Sequence, residues 1–562
     1  MYDFNYLQLK TSNCKNCYKC IRNCSIKSIK FSGNQAHIIG NECILCGTCY
    51  VVCPQNAKQI RGDAGKVKSA IADGKTVVAS IAPSFAANFS GYTIKDLENA
   101  LKKLGFAFAE ETSRGAEAVK THYERILKEE THDVLISSCC STVNMLLQKY
   151  YPDVLPCLAH ISSPMVTHCK MIKETTPDAY TVFIGPCISK KKEGDNSEGA
   201  VDAVLTFDEI CDWFREEGIK LEKSGEPVET NRSALFPTVG GIIRSMTKKG
   251  SPYSYFSVDG MENCIKAIED IRNGNINKCF VEMSACRGSC IGGPVMEKFD
   301  PSPVRSYMDV DRYAGREDIL PNIPEREMVE CKYPVMAQAR DIPGEAQIRE
   351  ILMKMGKHSK EDELNCGSCG YNTCREKAIA VYQGKADFTM CLPYLKDKAE
   401  SFSDNIINNT PNGILVLNED FEVQLINRAA CSMMNISSPS DILGSPVIRI
   451  LNPTEYMNVL SEERNVYEKK TFLAEYKKYV EETIIYDRNY HIIMSIMRDI
   501  TGEEKERSEK ENTSKQAIEI TDKVIEKQMR VVQEIASLLG ETTAETKIAL
   551  TNLKDTLNCE NK

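Results

Sequence analysis

Cysteine is the residue type in this chain best able to do chemistry, and it falls into spaced quartets. Cys14, Cys17, Cys20 and Cys24 form one run, and Cys43, Cys46, Cys49 and Cys53, followed by Pro54, form a second. Both follow C-x2-C-x2-C-x3-C, a spacing that holds two 4Fe–4S clusters with the fourth cysteine of each run serving the other cluster. Cys14, Cys17, Cys20 and Cys53 are therefore expected on one cluster, and Cys43, Cys46, Cys49 and Cys24 on the other. A structural zinc site needs four ligands, not eight interleaved ones. Cys366, Cys369, Cys374 and Cys391 make a third quartet, C-x2-C-x4-C-x16-C. There a further 4Fe–4S cluster is expected, with zinc as the alternative, since soft thiolates suit both. No C-x-x-C pair is followed by histidine, which excludes covalent c-type haem.

Further cysteines lie in ISSCCST (136–142), GPCISKKKE (185–193) and EMSACRGSCIGGP (282–294), with Ala82-Pro83-Ser84 upstream. The apolar segments TVVASIAPSF (76–85), DVLISSCC (133–140) and YTVFIGPC (180–187) read as short buried strands ending in functional-looking turns. Helical patterns such as IKDLENALKKLG (94–105) lie between them. That alternation predicts a largely parallel sheet with its ligands at the strand C-termini.

In this order the three segments resemble the signatures of FeFe (iron-only) hydrogenases, and the resemblance spans roughly residues 1–400. It implies that Cys140, Cys187, Cys286 and Cys290 hold the 4Fe–4S half of an H-cluster. Cys290 would also bridge to a diiron half carrying CO, cyanide and a bridging dithiolate amine. It implies Cys139 as a proton-relaying thiol, and Lys190 and Ser84 (or the Ser84 backbone) as donors to iron-bound cyanide. Pro83 would line the cofactor, and Gly240-Gly241 would let the backbone approach it. The sequence departs from the family pattern at Gly185 and Ser284, where methionines are usual. Ala159 falls where a relay serine is expected. Glu110 and Glu111 could supply the inner carboxylate, Glu111 being the choice, while the outer acid falls near Arg114. The seven histidines are scattered and most read as surface or satisfied core residues; His160 and His168 lie near the relay region. Cys157, Cys169, Cys211, Cys264, Cys279, Cys331, Cys431 and Cys559 fit no ligand spacing.

TPNGILVLNEDFEVQLINRAA (410–430) resembles the opening hairpin of a PAS domain, including the strand-ending Asn427. Beyond it a polar stretch, TGEEKERSEKENTSK (501–515), reads as a linker. Apolar residues at Ile518, Ile525, Met529, Val532, Ile535 and Leu539 then approach a 3.5-residue period. Gly540 should interrupt that helix, and Thr542 with Glu545 should cap a second one. The tail holds no histidine, so it cannot be a phosphoacceptor helix.

The expected fold is α/β and multi-domain. A two-cluster ferredoxin-like domain (1–62) precedes an α/β H-cluster domain (63–345) and a small four-cysteine iron–sulfur domain (346–396). An α+β PAS-like domain (397–502) and a helical, coiled-coil-like tail (503–562) follow. With 562 residues, 79 acidic against 70 basic side chains, and no basic run, nothing points to nucleic acid. No apolar run reaches membrane-spanning length and no signal segment opens the chain, so a cytoplasmic protein is expected. The resemblance implies a sensory FeFe hydrogenase interconverting H₂ with protons and electrons. Its partners would be a ferredoxin-like carrier, maturation proteins, a separate signalling kinase or phosphatase, and a second copy in a homodimer. The alternatives are a metabolic ferredoxin-linked hydrogenase and a non-enzymatic, hydrogenase-like iron–sulfur assembly protein; the set Ser84, Lys190 and Cys290 favours the hydrogenase.

Overall fold

The computed structural model describes residues 6–299, 302–337, 341–539 and 543–559. They form two compact units, 1–394 and 395–562.

In the first unit, strand Leu7–Leu9 pairs antiparallel with Lys58–Ile60, and Ile29–Ser32 with Gln35–Ile38. The latter hairpin turns through Gly33 and Asn34, both at positive φ (56° and 57°). Such a two-residue turn matches the twist of the strands it joins. The sequence predicted one largely parallel sheet; the structure has two. Val77–Ile81 pairs in parallel with Phe108–Glu111 on one side and Tyr180–Gly185 on the other, and Ala203–Thr206 completes the sheet. In the second sheet Cys279–Ser284 lies parallel between Ser254–Asp259 and Val134–Ile136. Val77–Ile81 and Val134–Ile136 are buried throughout, which is why they read as continuous apolar runs. Helix Ile94–Lys103 starts at a capping box between Thr93 and Asp96.

The third cysteine quartet belongs to a small helical module, Glu345–Lys354 and Cys374–Tyr382, that packs on the N-terminal hairpin region. Tyr371 and Met390 share an apolar core with Ile21 and Ile44. Phe31 N donates to Lys385 O at 2.7 Å, and Lys385 pairs with Glu42 at 2.6 Å.

The second unit is a five-stranded antiparallel sheet in the order Val423–Ile426, Gly413–Asn418, Ile492–Asp499, Lys478–Asp487, Val466–Leu473. Asn427, fully buried, organises its opening. The Asn427 Oδ1 accepts from Ile414 N and Ala430 N, and its amide donates to Ile407 O and Asn412 O. The expected linker at 501–515 is instead helical: one helix runs Thr501–Leu539 directly after the last strand. Its first turns carry side-chain pairs such as Arg507–Glu511 that support an exposed helix. A second helix, Thr543–Cys559, packs back on it, with Lys554 3.1 Å from Asp522. Gly540 and Thr542 lie outside the described residues. No described helix is long and apolar enough to cross a membrane.

Candidate active site and iron–sulfur centres

The turns that follow the parallel strands converge. Ala82-Pro83-Ser84 leaves Val77–Ile81, Cys139-Cys140 leaves Val134–Ile136, Pro186-Cys187 leaves Tyr180–Gly185, and Ala285-Cys286 leaves Cys279–Ser284. Pro83, Ser84, Cys139, Cys140, Cys187, Lys190, Cys286 and Cys290 all line one cavity of about 110 Å³. Two sheets thus aim their C-terminal ends at one space, the place where parallel sheets put their ligands.

Its electrostatics call for a positive centre. Cys286 is held well above the ordinary thiol range by burial first, and then by Cys187, Cys140 and Cys290. Cys290 lines the same cavity, and burial pushes its thiol up to about 12. Burial raises the Cys140 thiol as well, and sulfurs so placed ionise together only against a strong cationic charge, as a coordinated metal core provides. Ser84 adds a second fit: its Oγ is buried without a hydrogen-bond partner among the described residues, and it faces the same cavity. A donor left unsatisfied in an enclosed site is costly unless a bound group accepts from it.

Lys190 Nζ donates to Glu193 Oε2 at 2.5 Å and to Cys139 O at 3.2 Å. Burial works to lower its pKa, and the Glu193 carboxylate more than offsets this, keeping the ammonium charged. Burial pushes the Cys139 thiol up to about 12, and its Sγ lies 3.3 Å from Tyr123 Oη.

Three candidate residues do not line this cavity. Gly240 and Gly241 are not in the cavity wall, which Phe236, Pro237 and Ile242 supply instead. The glycine pair wraps a buried carboxylate: Glu282 accepts from Ile243 N at 3.0 Å and from the neighbouring N–H groups of Gly240, Ile242 and Gly241. A Cβ on Gly241 would stand 1.9 Å from Leu235 O, so the turn admits nothing larger. Glu111 is also absent from the wall; it is buried, and its Oε2 accepts from Tyr313 Oη at 2.8 Å. Glu282 escaped the sequence reading, although an acid inside the apolar run CFVEMS was a signal. Phe183 escaped it too, being indistinguishable in sequence from any other strand residue.

The first eight cysteines fall into two groups by the charges they feel. Cys20 feels the charges of Cys14, Cys17 and Cys53, whereas Cys49 feels those of Cys43, Cys46 and Cys24. The second group also reaches the cavity, because Cys46 acts on Cys286. Cys366, Cys369, Cys374 and Cys391 line a small cavity of their own with Lys357 and Lys377. Among the described residues no three Cys, His, Asp or Glu converge tightly enough to hold a single ion. Here too the sulfurs surround a space.

Comparison with known proteins agrees. The family model of the iron-only hydrogenase large subunit, C-terminal domain, matches residues 75–252 and 242–294. A 4Fe-4S binding domain matches 36–59, an Fe-S cluster model 362–393, and the PAS fold 401–506. The periplasmic Fe hydrogenase large subunit of Nitratidesulfovibrio vulgaris is 25% identical over 322 residues, 45% of this chain and 76% of that protein. Iron hydrogenase 1 of Clostridium pasteurianum is 25% identical over 438 residues, 62% of this chain and 75% of that protein. A solved FeFe-hydrogenase variant from Chlamydomonas reinhardtii is 18% identical with a TM-score of 0.38, covering 48% of this chain and 99% of that one. The chain is a hydrogenase-like iron–sulfur protein: residues 75–294 match the iron-only hydrogenase large-subunit domain, and a PAS fold follows over 401–506.

Proposed function

We propose that this chain is a sensory FeFe hydrogenase, catalysing H₂ ⇌ 2H⁺ + 2e⁻ slowly and reporting hydrogen through its PAS domain and helical tail. The observation that carries the reading is the single cavity uniting Cys140, Cys187, Cys286 and Cys290 with Cys139, Lys190 and the unpartnered Ser84 hydroxyl. The four cysteines would hold an H-cluster, Cys290 serving both halves, with Lys190 and Ser84 donating to its cyanides. When bound, that group supplies an open iron position for hydrogen and an amine that takes up or releases the proton.

The chain's own residues do the rest. Glu193 keeps Lys190 charged and aimed, so the donor is set before the group arrives. Cys139 presents a neutral thiol, able to pass a proton without leaving a charge in the cavity. The apolar wall of Met165, Phe183, Phe236 and Ile242 limits water. Electrons would leave through the group around Cys46 and reach the third module, since Tyr371 lies in the field of both Cys369 and Cys24. Partners of this reading are a ferredoxin-like carrier, maturation proteins and a separate kinase or phosphatase.

The test is anaerobic maturation of the full chain, infrared spectroscopy for iron-bound CO and cyanide, and a hydrogen uptake assay. Bands and uptake are expected, both lost in Cys290→Ala while the remaining iron is kept. Uptake at the wild-type rate in that variant would defeat the assignment.

A further inference from the structure

A buried hydrogen-bonded chain runs from the cavity to the surface through residues that the reading above leaves unused. Thr112 lines the cavity. Its Oγ1 lies 2.7 Å from Ser80 Oγ, which lies 2.8 Å from His168 Nδ1. On the far side of the ring, His168 Nε2 lies 3.2 Å from Glu110 Oε2. Glu110 Oε1 accepts from Arg114 Nη1 at 3.3 Å. Ser80 and His168 are fully buried, whereas the side chains of Glu110 and Arg114 are 34% and 42% exposed. Every step from wall to solvent is therefore within hydrogen-bond reach.

We propose that Thr112, Ser80, His168 and Glu110 are the path by which protons pass between cavity and solvent; the inference rests on the hydrogenase reading. It answers the deficit left by Ala159 and by Glu111, which bonds to Tyr313 away from the cavity wall. The path through Cys139 does not continue outward in the same way. Its neighbours Tyr123 and Ser138 pass the chain of bonds to the backbone carbonyl of Ile161, which carries no proton to hand on.

Backbone geometry holds the ring in place. A Cβ on Gly115 would stand 2.3 Å from Pro164 O and 2.7 Å from His168 Cβ. The absence of a side chain there lets helix Ser113–Glu129 close on helix Pro164–Thr175 and fix the histidine against strand residue Ser80. The charged group bonded to the ring is Glu110 near the strand end, which is itself paired with Arg114 on the facing helix. The hydrogen bond from His168 is the first cause that keeps the Glu110 carboxyl below its usual range, and Arg114 adds to it. Glu110 is thus an acceptor, Nε2 carries the hydrogen, and Nδ1 accepts from the Ser80 hydroxyl, which in turn accepts from Thr112. All donors in that arrangement point outward, the polarity for proton release. A proton arriving at Thr112 Oγ1 displaces the hydroxyl proton to Ser80, Ser80 passes its own to Nδ1, and Nε2 gives its proton to Glu110. One proton crosses and no electron moves. Uptake runs in reverse once the hydroxyls and ring tautomer have turned over.

The test uses full-length matured protein and the variants His168→Gln, Glu110→Gln and Ser80→Ala. Glutamine fills much of the histidine volume but has no second ring nitrogen, so it breaks the relay with less disturbance than an apolar residue. Turnover in both directions should fall on the order of 10²-fold, with CO and cyanide bands and iron content unchanged. Infrared difference spectra between hydrogen and argon should show a carboxyl change that Glu110→Gln abolishes. Wild-type rates in His168→Gln across pH, or slowing only with loss of the bands, would overturn the path. So would slowing in Glu193→Gln alone, which would route protons past Lys190. Matured wild-type protein that shows the bands but exchanges no hydrogen would overturn the hydrogenase reading and the path with it. An active wild type with unaffected variants would overturn the path alone.

Discussion

The edge of the Phe183 ring stands where a side chain on Gly185 would begin: its Cε1 and Cζ lie 2.7 and 2.8 Å from the position of a Cβ there. Phe183 is itself part of the cavity wall. The thioether usual at this place in the family is thus replaced by an aromatic edge from two residues earlier on the same strand.

Restoring the methionine alone should therefore harm this chain. Gly185→Met drives a side chain into the ring and into Ala82 Cβ, 3.1 Å from the same position. Overpacking of this kind costs about 1–3 kcal/mol. Thermal unfolding should shift down and cofactor loading should fall, and Phe183→Ala in the same chain should recover both. A Gly185→Met variant as stable as the parent would show that the ring moves freely.

Much of this site was legible in the sequence because ligand spacing is a local property. Cys14 to Cys53 can be paired from spacing alone, and the structure puts Cys53 beside Cys20 and Cys24 beside Cys49. Cys140 and Cys187 follow strands whose apolar runs announce them. What escaped was set by tertiary packing. Whether Glu111 meets the cavity or Tyr313 depends on a helix some 200 residues later in the chain, and Tyr313 lies in Pro303–Tyr313. Gly240-Gly241 looks the same whether it faces a cofactor or the carboxylate of Glu282. The charged run 501–515 read as a linker because its composition is polar, yet a long exposed helix is polar in the same way.

Glu111 should make stability depend on pH. Burial raises its carboxyl from 4.5 to about 7 in the folded chain, although the bond from Tyr313 opposes this. The unfolded chain releases that proton near 4.5 while the folded chain keeps it until about 7. Stability from this group is therefore lost as pH rises through that window, by roughly 3 kcal/mol. Glu111→Gln keeps an acceptor for Tyr313 and removes the titration. Its advantage in unfolding temperature over wild type should be larger at pH 8 than at pH 5. Equal differences at both would mean that Glu111 titrates normally.

Lys27 should couple two iron–sulfur centres. Its ammonium donates to Ile21 O, Arg22 O and Gly370 O at 3.3, 3.2 and 3.1 Å, tying the third module to the first. Burial lowers its pKa, and Cys24, Glu376 and Cys369 draw it back up. A positive charge between two thiolate-ligated clusters favours their reduced forms. Lys27→Met should move two cubane signals to more negative potential in a redox titration followed by electron paramagnetic resonance. The remaining signals should stay in place. A uniform shift, or none, would remove Lys27 from that role.

The helical tail supplies the last prediction. Ile520, Val524, Val531 and Ile535 are spaced 4, 7 and 4 residues apart on Thr501–Leu539, and their exposures are 62%, 53%, 42% and 49%. A 4-7-4 stripe is half of a coiled-coil seam, whereas Ile518, Ile525, Met529 and Val532 are half-buried. The exposed stripe is suited to a second copy of the chain or to the partner that receives the signal. For hydrogen to be sensed, oxidised and reduced protein must hold this seam differently, since a ligand shifts an equilibrium only by its differential affinity for the two states. Amide hydrogen exchange in residues 515–535 of the full-length protein should change between hydrogen and argon. A chain ending near Ser401 should keep its hydrogen turnover and lose self-association. Val524→Glu with Val531→Glu should weaken self-association in sedimentation experiments while leaving turnover intact. Identical tail protection and identical partner affinity under both gases would reduce residues 401–562 to a dimerisation device and the protein to a slow hydrogenase.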